Sequence, residues 1–126
     1  MERASSHPIL VVSPRWQTRA LLAAQIGEAT ERDIIPAPGV NEALGLIKLG
    51  GIDPVLLVVD ASEEVGREGV ERLLEAKRET PVVLIASGLR GDALDSLRDR
   101  CVAFLQRPVS IGRVAQTVMQ ILQERQ

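Results

Sequence analysis

Tyrosine is absent from this 126-residue chain, and tryptophan, phenylalanine, histidine and cysteine occur once each. These shortages remove classes of function. A lone Cys101 makes no internal disulfide, and its place before an apolar run marks it as a small packed or loop residue rather than a nucleophile, so no redox role is expected. His7 stands beside Pro8 in an N-terminal tail, with no second histidine for a zinc site and no setting for a catalytic triad. Lysine is scarce too: two of the 15 basic residues are Lys, the rest are Arg, and 17 acidic residues leave a net charge of -2. No basic block appears, so direct nucleic-acid binding is not expected. No apolar run approaches the roughly 18 residues of a membrane helix. The opening MERASSHP also lacks the apolar segment of a signal peptide, so no membrane partner and a cytoplasmic location are expected.

What is present is ordinary globular composition: 45% hydrophobic and 25% charged residues. The length suits one domain whose core needs neither disulfide nor metal. Residues 1–8 read as a tail and 9–126 as a single domain, without internal repeat, low-complexity segment or linker, and no output domain is expected within the chain.

Four short apolar runs, Ile9 to Val12, Val55 to Val59, Val82 to Ala86 and Val102 to Leu105, are rich in β-branched residues and bounded by polar or turn residues. Being continuous rather than alternating, they require cover on both faces, which points to a parallel sheet between helices. A fifth candidate, Asp33 to Ala37, carries Pro36 and belongs on an edge, where a missing ladder donor is tolerated.

Helical spacing fills the intervals. The first helix places Thr18, Leu21, Leu22, Gln25, Ile26 and Ala29 on one face, with Gln25 out of character. The second spans about Val40 to Leu49 around Ala43, Leu44 and Ile47 and stops at Gly50-Gly51. The third runs from about Arg67 to Glu79 with Val70, Leu73, Leu74 and Lys77, and the fourth from Asp92, as cap, to Arg98 with Leu94 and Leu97. The fifth is N-capped by Ser110 and buries Ile111, Val114, Ala115, Val118 and Leu122, with Met119 and Ile121 at the margin. Five strands alternating with five helices imply a doubly wound α/β domain with right-handed crossovers.

In such sheets ligands bind beyond the carboxyl ends of the strands, where strand order reverses. The residues selected are Ser13 and Pro14, Asp60, Ser87, and Arg107-Pro108. A carboxylate, a hydroxyl and a cation suit a phosphoryl group, with Asp60 as acceptor and Ser87 and Arg107 as donors to its oxygens. Asp60 alone is equally a turn carboxylate, Ser87 a loop cap, and Phe104 plain core. Trp16 opens the first helix, and periodicity leaves open whether it plugs the core or is an exposed contact near the crevice. Gly88 and Gly91 flank a loop without a Walker lysine and carry no nucleotide signal. Asp92, Asp95 and Asp99 read as a cap and an exposed face.

The strings ILVVSPR, DPVLLVVDAS, TPVVLIAS and FLQRPVS resemble, in this order and spacing, the four signature segments of response-regulator receiver domains, over nearly the whole chain. The resemblance implies a flavodoxin-like (βα)5 fold with strand order 2-1-3-4-5. It places Asp60 at the phospho-acceptor position, Ser87 at the switch Ser/Thr, Phe104 at the switch aromatic, and Arg107 where the family has lysine. Pro108 matches the proline that follows, commonly through a cis bond, and Ser62 the residue whose backbone carbonyl meets the metal.

Where the family has two adjacent acids, this chain has Ser13 and Pro14, neither of which offers a carboxylate to a hard cation. No cofactor is therefore expected, and no metal site; Asp60 and Ser62 are what remains for one, with Glu63 and Glu64 as distant substitutes. Without magnesium the transferring phosphoryl group loses its main stabiliser. Arg107 is also no geometric copy of lysine. A direct Asp60 to Arg107 salt bridge is expected instead, because an unpaired carboxylate in that crevice costs more than a paired one.

The function implied is that of an atypical receiver, a non-enzymatic interaction module in a two-component or phosphorelay pathway. It would dock a histidine kinase, an output protein or a second copy through the fourth helix, last strand and fifth helix, with Met119 and Ile121 as candidate contacts. The alternative is a working receiver phosphorylated on Asp60 by a histidine kinase with magnesium. A flavodoxin-like cofactor binder is disfavoured, since Ser-Pro-Arg-Trp replaces the phosphate loop after the first strand.

Overall fold

The computed structural model describes residues 7–61, 65–87 and 94–125. Strands β1 (Ile9–Val12), β2 (Ile34–Ala37), β3 (Leu56–Ala61), β4 (Val82–Ala86) and β5 (Ala103–Gln106) form one parallel sheet in the order β2-β1-β3-β4-β5. Helices α1 (Trp16–Thr30), α2 (Val40–Lys48), α3 (Arg67–Ala76) and α4 (Ile111–Glu124) cover it. The expected doubly wound parallel sheet and its strand order are both present, with four of the five expected helices among the described residues.

The apolar runs are continuous because alternate residues feed two cores. Ile9, Val11, Leu56, Val58, Val83 and Ile85 pack with Leu22 and Ile26 of α1 and with Val114, Val118 and Leu122 of α4. Leu10, Val12, Leu57, Val59 and Leu84 pack on the other face with Ala43 and Leu44 of α2 and Val70, Leu73 and Leu74 of α3. Burying both faces of each central strand is the chief source of stability in such a sandwich, at about 25 cal/mol per Å² of apolar surface. On the edge, Pro36 is exposed and faces Val11 across the ladder, consistent with its lack of a donor.

Helix α4 is built as expected: Ser110 caps it, its hydroxyl accepting from the Arg113 amide at 3.0 Å. Helix α2 ends at Lys48, where the Gly50 amide donates to the Gly45 carbonyl and Ile52 to Leu46. Gly51 takes φ 69°, a left-handed conformation in which a Cβ would be strained.

Five expectations shift. Strand β3 runs to Ala61, so Asp60 lies inside the strand rather than after it. On α1 the buried residues are Leu22 and Ile26, whereas Leu21, Gln25 and Ala29 face outward. Helix α3 stops at Ala76, three residues short of Glu79, and Lys77 turns to pair with Asp53 at 2.9 Å. Ile121, expected at the margin of the last helix, is buried in the α1/α4 core and presents no contact surface, while Met119 is half-buried. Of the fourth expected helix, Asp92 lies outside the described residues; Leu94 and Leu97 are buried and a 3-10 turn follows at Arg98–Arg100. Among the described residues no helix is long and apolar enough to cross a membrane.

Candidate functional site

Strand parity assembles the site. The residues facing the α1/α4 core are Ile9 and Val11 on β1, Leu56 and Val58 on β3, Val83 and Ile85 on β4, and Ala103 and Leu105 on β5. Two positions further along each strand, on the same face, come Ser13, Asp60, Ser87 and Arg107. Because β1 pairs with β3 in the register Val12 to Val59, Ser13 falls beside Asp60. Backbone bonds carry the ladder past the strand ends and hold this register: Ser13 donates to the Ala37 carbonyl at 3.0 Å, and Arg107 to the Ala86 carbonyl at 2.8 Å.

Ser13 and Asp60 are the buried polar side chains among the described residues, 0% and 1% exposed. They satisfy each other: the Ser13 hydroxyl donates to Asp60 Oδ2 at 2.8 Å. Asp60 Oδ1 accepts from Nη2 of Arg107, whose side chain is about a third exposed. The expected salt bridge is therefore present, and a hydroxyl not anticipated from the sequence completes it. Each carboxylate oxygen has a donor, which meets the requirement that a buried charge be paired and hydrogen-bonded. Arg19, one turn into α1, clamps the same segment by donating from Nη1 to the Ser13 carbonyl at 2.8 Å.

Beside this cluster opens a cleft of about 790 Å³ between the start of α1 and the β5–α4 loop. Arg15, Thr18, Ser87, Arg107 and Ser110 supply its polar lining, and Pro108, Val109 and Ile111 an apolar wall. The Arg107-Pro108 peptide is cis. Trp16 is 67% exposed at the head of α1, which decides its role against a core plug.

Phe104 is not brought to the cleft. It has the opposite parity, packs against the α2/α3 core, and lies under the Arg98 guanidinium at 4.1 Å from the ring centroid. Pro14 is partly exposed at the end of β1. Ser62, Glu63, Glu64, Gly88 and Gly91 lie outside the described residues. Asp95 is exposed and pairs with Arg98 at 2.8 Å, and Asp99 is exposed. Cys101 is half-buried against the α2/α3 core, and burial pushes its thiol above the usual range.

The similarities to known proteins are structural. The chain superposes on the receiver domain of NtrX from Brucella abortus with a TM-score of 0.76 at 22% identity, covering 91% of this chain and 98% of that one. For a CheY-like response regulator receiver domain protein from Methanospirillum hungatei JF-1 the TM-score is 0.77 at 14% identity, over 96% and 99% of the two chains. The chain has the receiver fold. A two component transcriptional regulator AraC from Clostridium phytofermentans adds a TM-score of 0.75 at 22% identity, with 93% of each chain covered. No protein-family model matches the sequence, nor does any curated protein. In receiver-fold terms, the cluster and cleft occupy the carboxyl-terminal edge of the sheet, where open α/β folds bind ligands.

Proposed function

We propose that this receiver-fold domain is an interaction module in a two-component-type pathway whose docking does not depend on magnesium-assisted phosphorylation of Asp60. The observation that carries the reading is the closed cluster around that carboxylate. One oxygen accepts from Ser13 and the other from Arg107, so the group a cation would need is committed to protein donors.

The donor set supports the same reading. Magnesium demands six oxygens in near-octahedral array and is usually held by one or two carboxylates. Ser13 and Pro14 stand at the end of β1, where the family resemblance puts its acidic pair, and Ser13 uses its proton on Asp60. Among the described residues no group of three or more His, Cys, Asp or Glu side chains is placed to hold a metal. A guanidinium beside Asp60 adds a positive charge to the spot a divalent cation would enter, which opposes its binding further. These residues do not fit the ion.

With the site neutralised from within, the surface carries the function. A histidine kinase, an output protein or a second copy is the class of partner, with docking expected on the face that includes β5 and α4. The test uses Trp16, the single tryptophan, three residues from Ser13 and exposed, as a fluorescent reporter. Magnesium is expected to leave its emission unchanged up to roughly 10 mM, whereas a Ser13→Asp/Pro14→Asp variant is expected to respond saturably. A saturable response of the wild-type protein at or below about 1 mM magnesium would overturn the proposal.

A further inference from the structure

The cleft beside the cluster assigns a second property to this chain: we infer that it binds a small phosphate-bearing molecule, holding the phosphate between Arg15 and Arg107. The inference does not rest on the docking role proposed above and stands or falls separately from it.

The protein is acidic overall, with a net charge of -2. Yet the described lining of the cleft carries two arginines, three hydroxyls and no carboxylate. Asp60 is buried behind Arg107 rather than exposed in the cleft wall. Asp60 takes Nη2 and offsets the charge of Arg107, but a guanidinium has five N–H donors in a fixed fork, so Arg107 still presents donors to the open space while Arg15 supplies the charge that is not offset. Arg15 is exposed and has no carboxylate partner among the described residues. An arginine pair flanking hydroxyls is the donor set that recognises phosphate oxygens through charge-assisted, bidentate bonds.

Two further features favour an anion over a neutral ligand. Helices α1 and α4 begin at this cleft, and neither carries an acidic residue in its first turn, so their positive dipole ends are not offset locally. The apolar wall of Pro108, Val109 and Ile111 and the cleft's size match a ligand larger than phosphate alone, such as a nucleoside monophosphate.

Isothermal titration calorimetry on the intact chain, in EDTA to remove divalent ions, tests this with inorganic phosphate, pyrophosphate, AMP and ATP as probes. The expected result is 1:1 binding of AMP or ATP at micromolar to sub-millimolar Kd, tighter than inorganic phosphate and weakened by added salt. Arg15→Ala is expected to weaken it roughly tenfold or more and Arg15→Glu to abolish it, while Arg78→Ala on the far side leaves it unchanged. Because Arg15 is exposed, these variants keep the fold. No binding of any probe at about 5 mM, or Arg15→Ala binding within twofold of wild type, overturns the inference.

Discussion

Asp60 is a carboxylate enclosed at the end of the α1/α4 core, stable there because two donors reach it. Removing Arg107 leaves a buried charge with only a hydroxyl for company. Breaking a buried pair costs about 3–5 kcal/mol, and the partial exposure of Arg107 brings the expectation for Arg107→Ala to roughly 2–3 kcal/mol, read as a lowered urea midpoint. In an Asp60→Asn background the same substitution is expected to cost much less, and equal costs in both backgrounds would show that the pair is not coupled. Ser13→Ala removes the second donor and is expected to cost about 1–3 kcal/mol. Cys101 offers an independent check at this scale. Burial favours its neutral thiol, so alkylation at neutral pH is expected to be slower than for an exposed cysteine and to rise only above the usual thiol range.

At the scale of elements, legibility follows how one-sided each segment is. The strands are continuous β-branched runs between turn residues, and their positions were legible to within two residues at either end. Helix α4 was legible because its apolar residues form one stripe behind a serine cap, and Ser110→Ala is expected to cost about 1 kcal/mol in thermal or urea unfolding. The buried face of helix α1 was legible only in part, because Trp16, Ala20, Leu21, Leu22, Ala23 and Ala24 spread apolar surface around its whole circumference. Only packing against α4 and the sheet selects Leu22 and Ile26. The early end of α3 was hidden for a different reason: Lys77 fits a helical stripe by spacing but is drawn to Asp53, which precedes β3. The hydrogen bond and charge of Lys77 hold the Asp53 carboxyl below its ordinary value. A carboxyl depressed in the folded state adds stability above its unfolded pKa, and that contribution is lost as pH falls through the lower folded value. Lys77→Met is therefore expected to move the Asp53 midpoint, followed by NMR, upward toward the usual range; an unmoved midpoint would mean the contact is not made in solution.

For the whole molecule, the sheet topology converts sequence period into site geometry. The alternation that sends Ile9, Val11, Val83 and Ile85 into one core also lines up Ser13, Asp60, Ser87 and Arg107 at its mouth, and those four positions were legible from the strand ends alone. The hydrogen bond from Ser13 was not, because a serine in place of an acid reads as a loss until its parity with Asp60 is followed across the β1–β3 register. Phe104 was placed with the site by resemblance, while its parity sends it to the opposite face beneath Arg98. Asp60 is engaged by the protein's own donors, Ser13 and Arg107, and we propose that it therefore does not serve as a phosphoryl acceptor. Intact-mass spectrometry after incubation with acetyl phosphate and magnesium tests it most directly. An unchanged mass is the predicted result, and a phosphoryl increment that disappears in Asp60→Asn would contradict it.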